Sequence, residues 1–161
     1  MRVDRRHTAY HEAGHAVIGH VLGYDVRKAT IRKRYNSLGG AWVSKPSSLG
    51  ATEVQAGSTE RDDFGHICVD LAGPLAEKLV NRSSFKELIA NGSSGDWETA
   101  QRRARRINRK QSGTVIDVLV EETKALVQHH RAAIARVAAA LLERETVNGD
   151  DIKRLTNGSV S

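Results

Sequence analysis

The sequence predicts a mainly α-helical fold with one small β-sheet. Apolar residues recur at helical spacing near the start of the 161-residue chain, in residues 4–22, and again in residues 114–143. Between these segments, residues 26–46 carry short β-branched or aromatic runs around the turn-forming NSLGG, which favours a hairpin. A chain of this length suits one core, so we expect a single domain over residues 1–161.

The first half of the chain is predicted to hold a helix, a hairpin and a loop. The first helix should end near Gly23, and the hairpin strands should span about residues 28–33 and 40–44. The next stretch is rich in Ser, Gly and Thr and has no sustained periodicity. It predicts a mobile loop that reaches about Ser58.

The remaining elements are predicted to be helices. A second helix should follow a cap at Ser58 or Thr59, and Pro74 should kink or interrupt it. Another helix is predicted from about Gly95, acidic at its start and basic toward its end as the helix dipole prefers. The periodic segment 114–143 is expected to break near QHHR, and ETVNGDDIKRL predicts a turn and a short helix.

Composition limits the sites and partners that the chain can have. The single cysteine, Cys68, excludes an intramolecular disulfide and a Cys-only metal site, so any metal must be held by His and carboxylate. No apolar run approaches the roughly 20 residues that cross a bilayer, and the opening MRVDRRH lacks the apolar stretch of a signal peptide. We therefore expect a cytoplasmic protein without a membrane segment.

The net charge of +6 raises the question of nucleic-acid binding, because many basic residues lie in residues 102–110. These residues would point in several directions around a helix, and no aromatic residues are interleaved with them. Nucleic-acid binding is therefore the least favoured function.

The segment HEAGH has the spacing of a zinc peptidase helix. His11 and His15 lie about 40° apart around a helix and one turn apart along it, so both imidazoles can reach one ion. Glu12 can contact a water in the open metal position and act as general base. Gly14 costs a helix about 1 kcal/mol relative to alanine, which suggests that another element approaches closely there.

The third metal ligand must come from outside this motif. His20 lies about 140° from His15 around the same helix and cannot join the two histidines. Spacing alone leaves Glu77 and Asp96 as the best candidates, although Ser93 and Asp96 also fit a capping box and Glu77 could be a solvated helix residue. Less favoured candidates are His66 and Asp62.

Three sequence blocks carry a resemblance that covers nearly the whole chain. They are AYHEAGHAVIG at 9–19, LAGPLAEKLV with GSSGDWETAQRRAR at 71–80 and 92–105, and HRAAIARVAAALLERETVNGDDIKRL at 130–155. In this order the blocks resemble the peptidase domain of FtsH-type zinc metalloproteases. The resemblance implies a zincin-like helical peptidase domain, with a small hairpin or sheet near a site for Zn²⁺.

The resemblance also implies roles for individual residues. The family's third zinc ligand is an aspartate before a helix, and the matching position is Asp96, beside His11 and His15. Glu77 matches a helix that would support the site through hydrogen bonds. The family's hairpin edge strand binds extended substrate by β-augmentation, although an ordinary ribbon is the alternative for this chain. The matching positions are Gly40, Ala41, Trp42 and Val43.

The chain departs from the family in several ways. Ala72 replaces the first glycine of the family's G-G-x-x-A-E block, and Trp97 follows the expected aspartate ligand in place of leucine. No G-x-x-x-x-G-K-[ST] loop occurs. We therefore expect a stand-alone peptidase domain without the ATPase module and membrane segment.

The leading hypothesis is a zinc endopeptidase that cleaves unfolded or flexible polypeptides and needs no ATP on its own. The alternative is a binding or regulatory module that acts with a separate ATPase or partner protein. A homo-oligomer and a monomer are both compatible with the sequence.

Overall fold

The structure is a computed structural model that describes residues 4–32, 51–54, 60–91 and 94–158. Seven helices and three strands lie in these ranges. In chain order they are α1 (Arg5–Val21), β1 (Val26–Thr30), β2 (Ala51–Val54), α2 (Glu60–Glu77), α3 (Phe85–Asn91), α4 (Ser94–Ile107), α5 (Ser112–His129), α6 (Arg131–Arg144), β3 (Thr146–Asn148) and α7 (Gly149–Thr156). The prediction of a mainly α fold with one small sheet is confirmed.

The sheet has the strand order β2-β1-β3, and both pairings are antiparallel. Ala29 of β1 lies opposite Thr52 of β2 on one side and Val147 of β3 on the other. The prediction of a mobile loop up to Ser58 was wrong for residues 51–54, because pairing with β1 makes this segment a strand. The predicted strand at 40–44 lies outside the described residues.

The helix predictions are mostly confirmed. The side chain of Asp4 accepts a hydrogen bond from the Arg6 backbone N–H at 2.8 Å and caps α1. Helix α2 runs through Pro74 and ends three residues later, so of the predicted kink or interruption at the proline only the interruption was wrong. Helices α5 and α6 break at His130, as the sequence predicts. The predicted caps Ser58 and Thr59 lie outside the described residues.

Besides β2, two further elements were missed by the sequence analysis. Helix α3 begins with a capping box in which the Ser84 N–H donates to Glu87 Oε2 at 2.7 Å and the Glu87 N–H donates to Ser84 Oγ at 3.1 Å. Strand β3 replaces the first part of the predicted closing turn, and the predicted short helix follows it as α7. Asn148 caps α7 by accepting the Asp151 N–H at 2.9 Å.

Helix α1 lies at the centre of the fold. It packs against α2, α6, α7 and the sheet, while α2 also packs against α4 and α5. The segment from Glu12 to Gly19 is buried along its whole length, so α1 carries the proposed site into the interior. The largest fully buried side chains belong to Ile18, Ile67, Leu71, Ile134, Leu141 and Ile152.

Gly14 marks the closest approach of α1 to α2. A Cβ atom at this position would lie 2.4 Å from the carbonyl oxygen of Ala72 and 2.5 Å from the Cβ of Ala76. Both neighbours are themselves small, and neither can move without shifting α2. The expectation that Gly14 permits a close helix contact is confirmed.

Gly14→Ala is predicted to destabilise the protein by about 1–3 kcal/mol, because the added methyl group overpacks the contact between α1 and α2. Gly113→Ala is the matched control, since a Cβ at Gly113 in α5 would meet nothing within 4 Å. Urea unfolding followed by circular dichroism would measure both variants. A Gly14 variant as stable as the control would contradict the tight helix contact.

Candidate metal centre

His11, His15 and Asp96 meet between α1 and the start of α4. The Nε2 atoms of the two histidines lie 3.1 Å apart, and Asp96 Oδ2 lies 2.9 Å from His11 Nε2 and 3.4 Å from His15 Nε2. The potential ligand atoms of the three residues all lie within 4.8 Å of one another. Two imidazoles and one carboxylate therefore converge on one point.

Residues of α2 form hydrogen bonds with the Nδ1 atoms of both imidazole rings, on the side away from Asp96. His15 Nδ1–H donates to the carbonyl oxygen of Val69 at 2.7 Å, and His11 Nδ1–H donates to Glu77 Oε2 at 3.3 Å. The side-chain amide of Asn81 donates to Glu77 Oε1 at 2.8 Å and so orients that carboxylate. A proton on each Nδ1 leaves each neutral imidazole with its Nε2 lone pair toward Asp96.

Gly73 gives the two rings the space that they occupy. A Cβ atom at this position would lie 2.3 Å from His15 Nε2 and 2.8 Å from His11 Nε2.

The next residue, Pro74, has no N–H, so the carbonyl of Asp70 lacks its usual helical donor. The adjacent carbonyl, that of Val69, accepts the bond from His15.

The charges of the cluster compensate one another. Burial alone would lower the pKa of His11, but hydrogen bonds with Asp96 and Glu77 raise it well above its ordinary value. His15 and His11 hold the pKa of Asp96 well below its usual range, although burial opposes this shift. The carboxylate and the two imidazoles therefore stabilise each other's charged forms at the point where their ligand atoms converge.

Glu12 lies beside this cluster and contacts the sheet. Its side chain is buried, and Thr52 Oγ1–H on β2 donates to Glu12 Oε2 at 2.7 Å. Glu12 interacts electrostatically with both histidines, whereas its carboxylate is hydrogen-bonded to the sheet.

Ion pairs fix α4 against α2. Arg103 Nε donates to Asp70 Oδ2 at 3.0 Å, and Arg106 Nη2 donates to Asp63 Oδ1 at 2.6 Å. Arg103 lies seven residues, or two turns, after Asp96, so it braces the same face of α4 that carries the carboxylate. These contacts also give part of the basic segment a structural role.

The three residues fit a zinc ion. Imidazole nitrogen and carboxylate oxygen are ordinary zinc ligands, and three protein ligands are the usual number at a catalytic site, where the remaining position is open. The bonds from Nδ1 to Val69 and Glu77 supply the outer support that zinc-binding histidines commonly have.

A protein-family model matches more than half of the chain. The family model described as "Peptidase family M41" matches residues 1–111. The chain belongs to peptidase family M41. The resemblance to an FtsH-type peptidase domain is confirmed.

Individual relatives match most of the chain. A protein of Thermus thermophilus named "ATP-dependent zinc metalloprotease FtsH" is 29% identical over 96% of this chain and 29% of its own length. A protein of Arabidopsis thaliana named "ATP-dependent zinc metalloprotease FTSH 11, chloroplastic/mitochondrial" is 30% identical over 94% of this chain and 21% of its own length. The chain thus spans less than a third of the length of these curated relatives. In the part of this M41 chain that the structure describes, no helix is long and apolar enough to cross a membrane.

The other candidate ligands lie elsewhere or cannot be placed. His66 is buried and stacks on Tyr24, with ring centroids 4.4 Å apart, and it is not part of the converging group. Ser93, the capping partner considered for Asp96, lies outside the described residues, as does the side chain of Asp62. The predicted peptide-binding residues Gly40, Ala41, Trp42 and Val43 also lie outside the described residues.

Sequence analysis missed several groups of the M41 site. Val69 contributes a backbone carbonyl, which every residue has, so its side chain gives no indication of this role. Thr52 lies in a segment that was not expected to be a strand. The spacing could have suggested two others, since Asn81 lies one helical turn after Glu77 and Arg103 lies two turns after Asp96.

Asp70→Asn is predicted to weaken the pH dependence of stability between about pH 4 and pH 7. Burial raises the pKa of Asp70 from 3.8 to about 7, although Arg103 opposes the shift. The folded protein then holds a proton that the unfolded chain releases, so Asp70 contributes stability below pH 4 that is lost as the pH rises to about 7. Asparagine does not titrate, so the variant should not lose this stability as the pH rises.

Urea unfolding of the metal-free proteins across this pH range would test the prediction. Loss of the bond to Arg103 changes the free energy of unfolding of the variant at every pH. The test therefore compares how steeply this free energy changes with pH, and not its absolute value. Parallel curves for the wild type and the variant would show that Asp70 does not titrate in this window.

Proposed function

We propose that the chain is a zinc-dependent endopeptidase that hydrolyses peptide bonds of unfolded or flexible polypeptides. His11, His15 and Asp96 bind Zn²⁺ in this proposal, and Glu12 is the general base. The observation that carries it is the convergence of the three ligand atoms within 4.8 Å beside the buried Glu12. The M41 membership and the relatives named zinc metalloproteases support the same chemistry.

Each protein group has a separate task in the reaction. A zinc ion would supply a Lewis acid that polarises the scissile carbonyl and lowers the pKa of the attacking water. Glu12 removes a proton from this water and delivers it to the nitrogen of the leaving amine. The bonds to Val69 and Glu77 keep the imidazoles of His15 and His11 oriented while this happens.

The peptide is proposed to bind as an extended strand beside the site. Main-chain hydrogen bonds of an edge strand hold such a peptide with little sequence preference. The residues proposed for this role are Gly40, Ala41, Trp42 and Val43, on the basis of the family resemblance. An unfolded chain or an exposed loop can adopt the required extended form, whereas a folded substrate cannot.

The dependence on ATP separates two versions of the proposal. The relatives carry "ATP-dependent" in their names, and this chain covers only a part of their length. We propose that the domain itself cleaves flexible substrates without ATP, and that a separate ATPase or assembly into a homo-oligomer would extend its range to folded ones. The alternative is a binding or regulatory module for such a partner. Degradation of casein by the purified chain, with and without an added ATPase, would distinguish them.

Metal content is predicted to depend on Asp96 and not on Glu77. About one zinc per wild-type chain is expected by inductively coupled plasma mass spectrometry, with loss in His15→Ala and Asp96→Ala because each removes a ligand. Glu77→Ala should keep the ion with an affinity weaker by about 10- to 100-fold, because it removes only outer support. Full zinc in the Asp96 variant together with loss in the Glu77 variant would overturn the ligand assignment.

Glu12→Gln is predicted to retain zinc and lose cleavage by about 10²- to 10⁴-fold, because an amide cannot accept the proton. Glu143→Gln is the matched control, since Glu143 lies exposed on α6. Cleavage of casein and zinc content would be measured on the same samples. Substantial activity in the zinc-loaded Glu12 variant would exclude Glu12 as the base.

A further inference from the structure

Thr52 is a polar residue at a position where the sheet faces the core. It lies opposite Ala29, which in turn lies opposite Val147, and cross-strand partners share one face of a sheet. Ala29 and Val147 are both buried. Valine has the same shape as threonine and would serve strand formation and packing equally well here, so the hydroxyl group requires another reason.

The reason is its contact with Glu12. Thr52 Oγ1 lies 2.7 Å from Glu12 Oε2 and 3.1 Å from the main-chain carbonyl oxygen of the same residue. Glu12 is only 6% exposed, so water can replace this bond poorly. Within the ranges that the structure describes, Thr52 is the only hydrogen-bond donor to the Glu12 carboxylate.

We propose that Thr52 is a positioning residue that fixes the carboxylate of Glu12 for proton transfer. The inference rests on the proposed function of Glu12 as general base. The short bond removes rotational freedom from a side chain that otherwise pivots about three torsions, and it points Oε2 toward the sheet. The second oxygen, Oε1, is then the atom that receives the proton from the attacking water.

A hydroxyl group suits this task in both protonation states of the base. It donates to the ionised carboxylate, and it can accept from a protonated carboxyl group while its own hydrogen turns to the main-chain carbonyl of Glu12. A lysine ammonium in its place could only donate. The contact therefore persists when Glu12 takes up the proton and when it releases it.

The first test separates turnover from binding in zinc-loaded proteins. Thr52→Val is expected to lower kcat roughly 10- to 100-fold through the loss of orientation, with KM and zinc content close to wild type. Thr52→Ser keeps the hydroxyl and should restore kcat to within a few-fold. Thr30→Val is the matched control, because Thr30 belongs to the same sheet but bonds to Thr146 Oγ1 at 2.8 Å. This control should keep kcat.

A second test measures the contribution of the Thr52–Glu12 contact to thermal stability and needs no activity assay. In metal-free protein, Thr52→Val should lower Tm by roughly 3–10 °C, since it leaves the buried Glu12 carboxyl group without this hydrogen bond. In a Glu12→Ala background the same substitution should change Tm much less, because the partner is already absent. This double-mutant cycle isolates the pair from general effects on the strand.

The two tests keep the inference and the proposed function apart. A zinc-loaded Thr52→Val protein with wild-type kcat, or equal losses of Tm in both backgrounds, would overturn the positioning role. If the wild-type chain binds zinc and cleaves no substrate, the proposed function fails. The thermal cycle then decides by itself whether Thr52 holds Glu12.

Discussion

The close packing of α1 on α2 is the constraint on which the rest of the site depends. The two helices approach closely because Gly14, Ala72, Gly73 and Ala76 present little or no side chain at the contact. This short distance lets the rings of α1 reach acceptors on α2 and keeps them in one orientation. A larger residue at any of these positions would separate the imidazoles from the groups that orient them. The arrangement of the proposed metal ligands therefore depends on how α1 packs against α2.

Charge compensation explains why such a cluster can be buried. Two imidazoles would lose their protons on burial, and an isolated carboxylate would gain one. Together, His11, His15 and Asp96 offset both costs, because the carboxylate raises the pKa of the imidazoles and the imidazoles lower the pKa of the carboxylate. Arg103 of α4 donates to Asp70 of α2 and braces the helix that carries Asp96, although burial raises the pKa of Asp70 to about 7. The brace matters because Asp96 is the only member of the cluster that does not lie on α1.

The parts of the molecule that the sequence could predict are those with local causes. Helical spacing alone brings His11 and His15 together, and the periodicity of α5 and α6 gave even their break at His130 correctly. The third carboxylate depends on how α4 packs, so spacing left Glu77 and Asp96 open and only the family resemblance favoured Asp96. Strands β2 and β3 were missed because pairing with β1 stabilises them more than their own composition does.

The proposed general base and the proposed metal ligands are supported by different parts of the fold. The bonds that orient the histidines come from α2, and those that brace Asp96 run between α4 and α2, whereas the bond to Glu12 comes from β2. A change in the position of β2 can therefore alter the base without disturbing the metal ligands. This separation means that metal retention does not report on catalytic competence. In the proposed mechanism, the sheet that orients the base is also the element that the family resemblance associates with peptide binding.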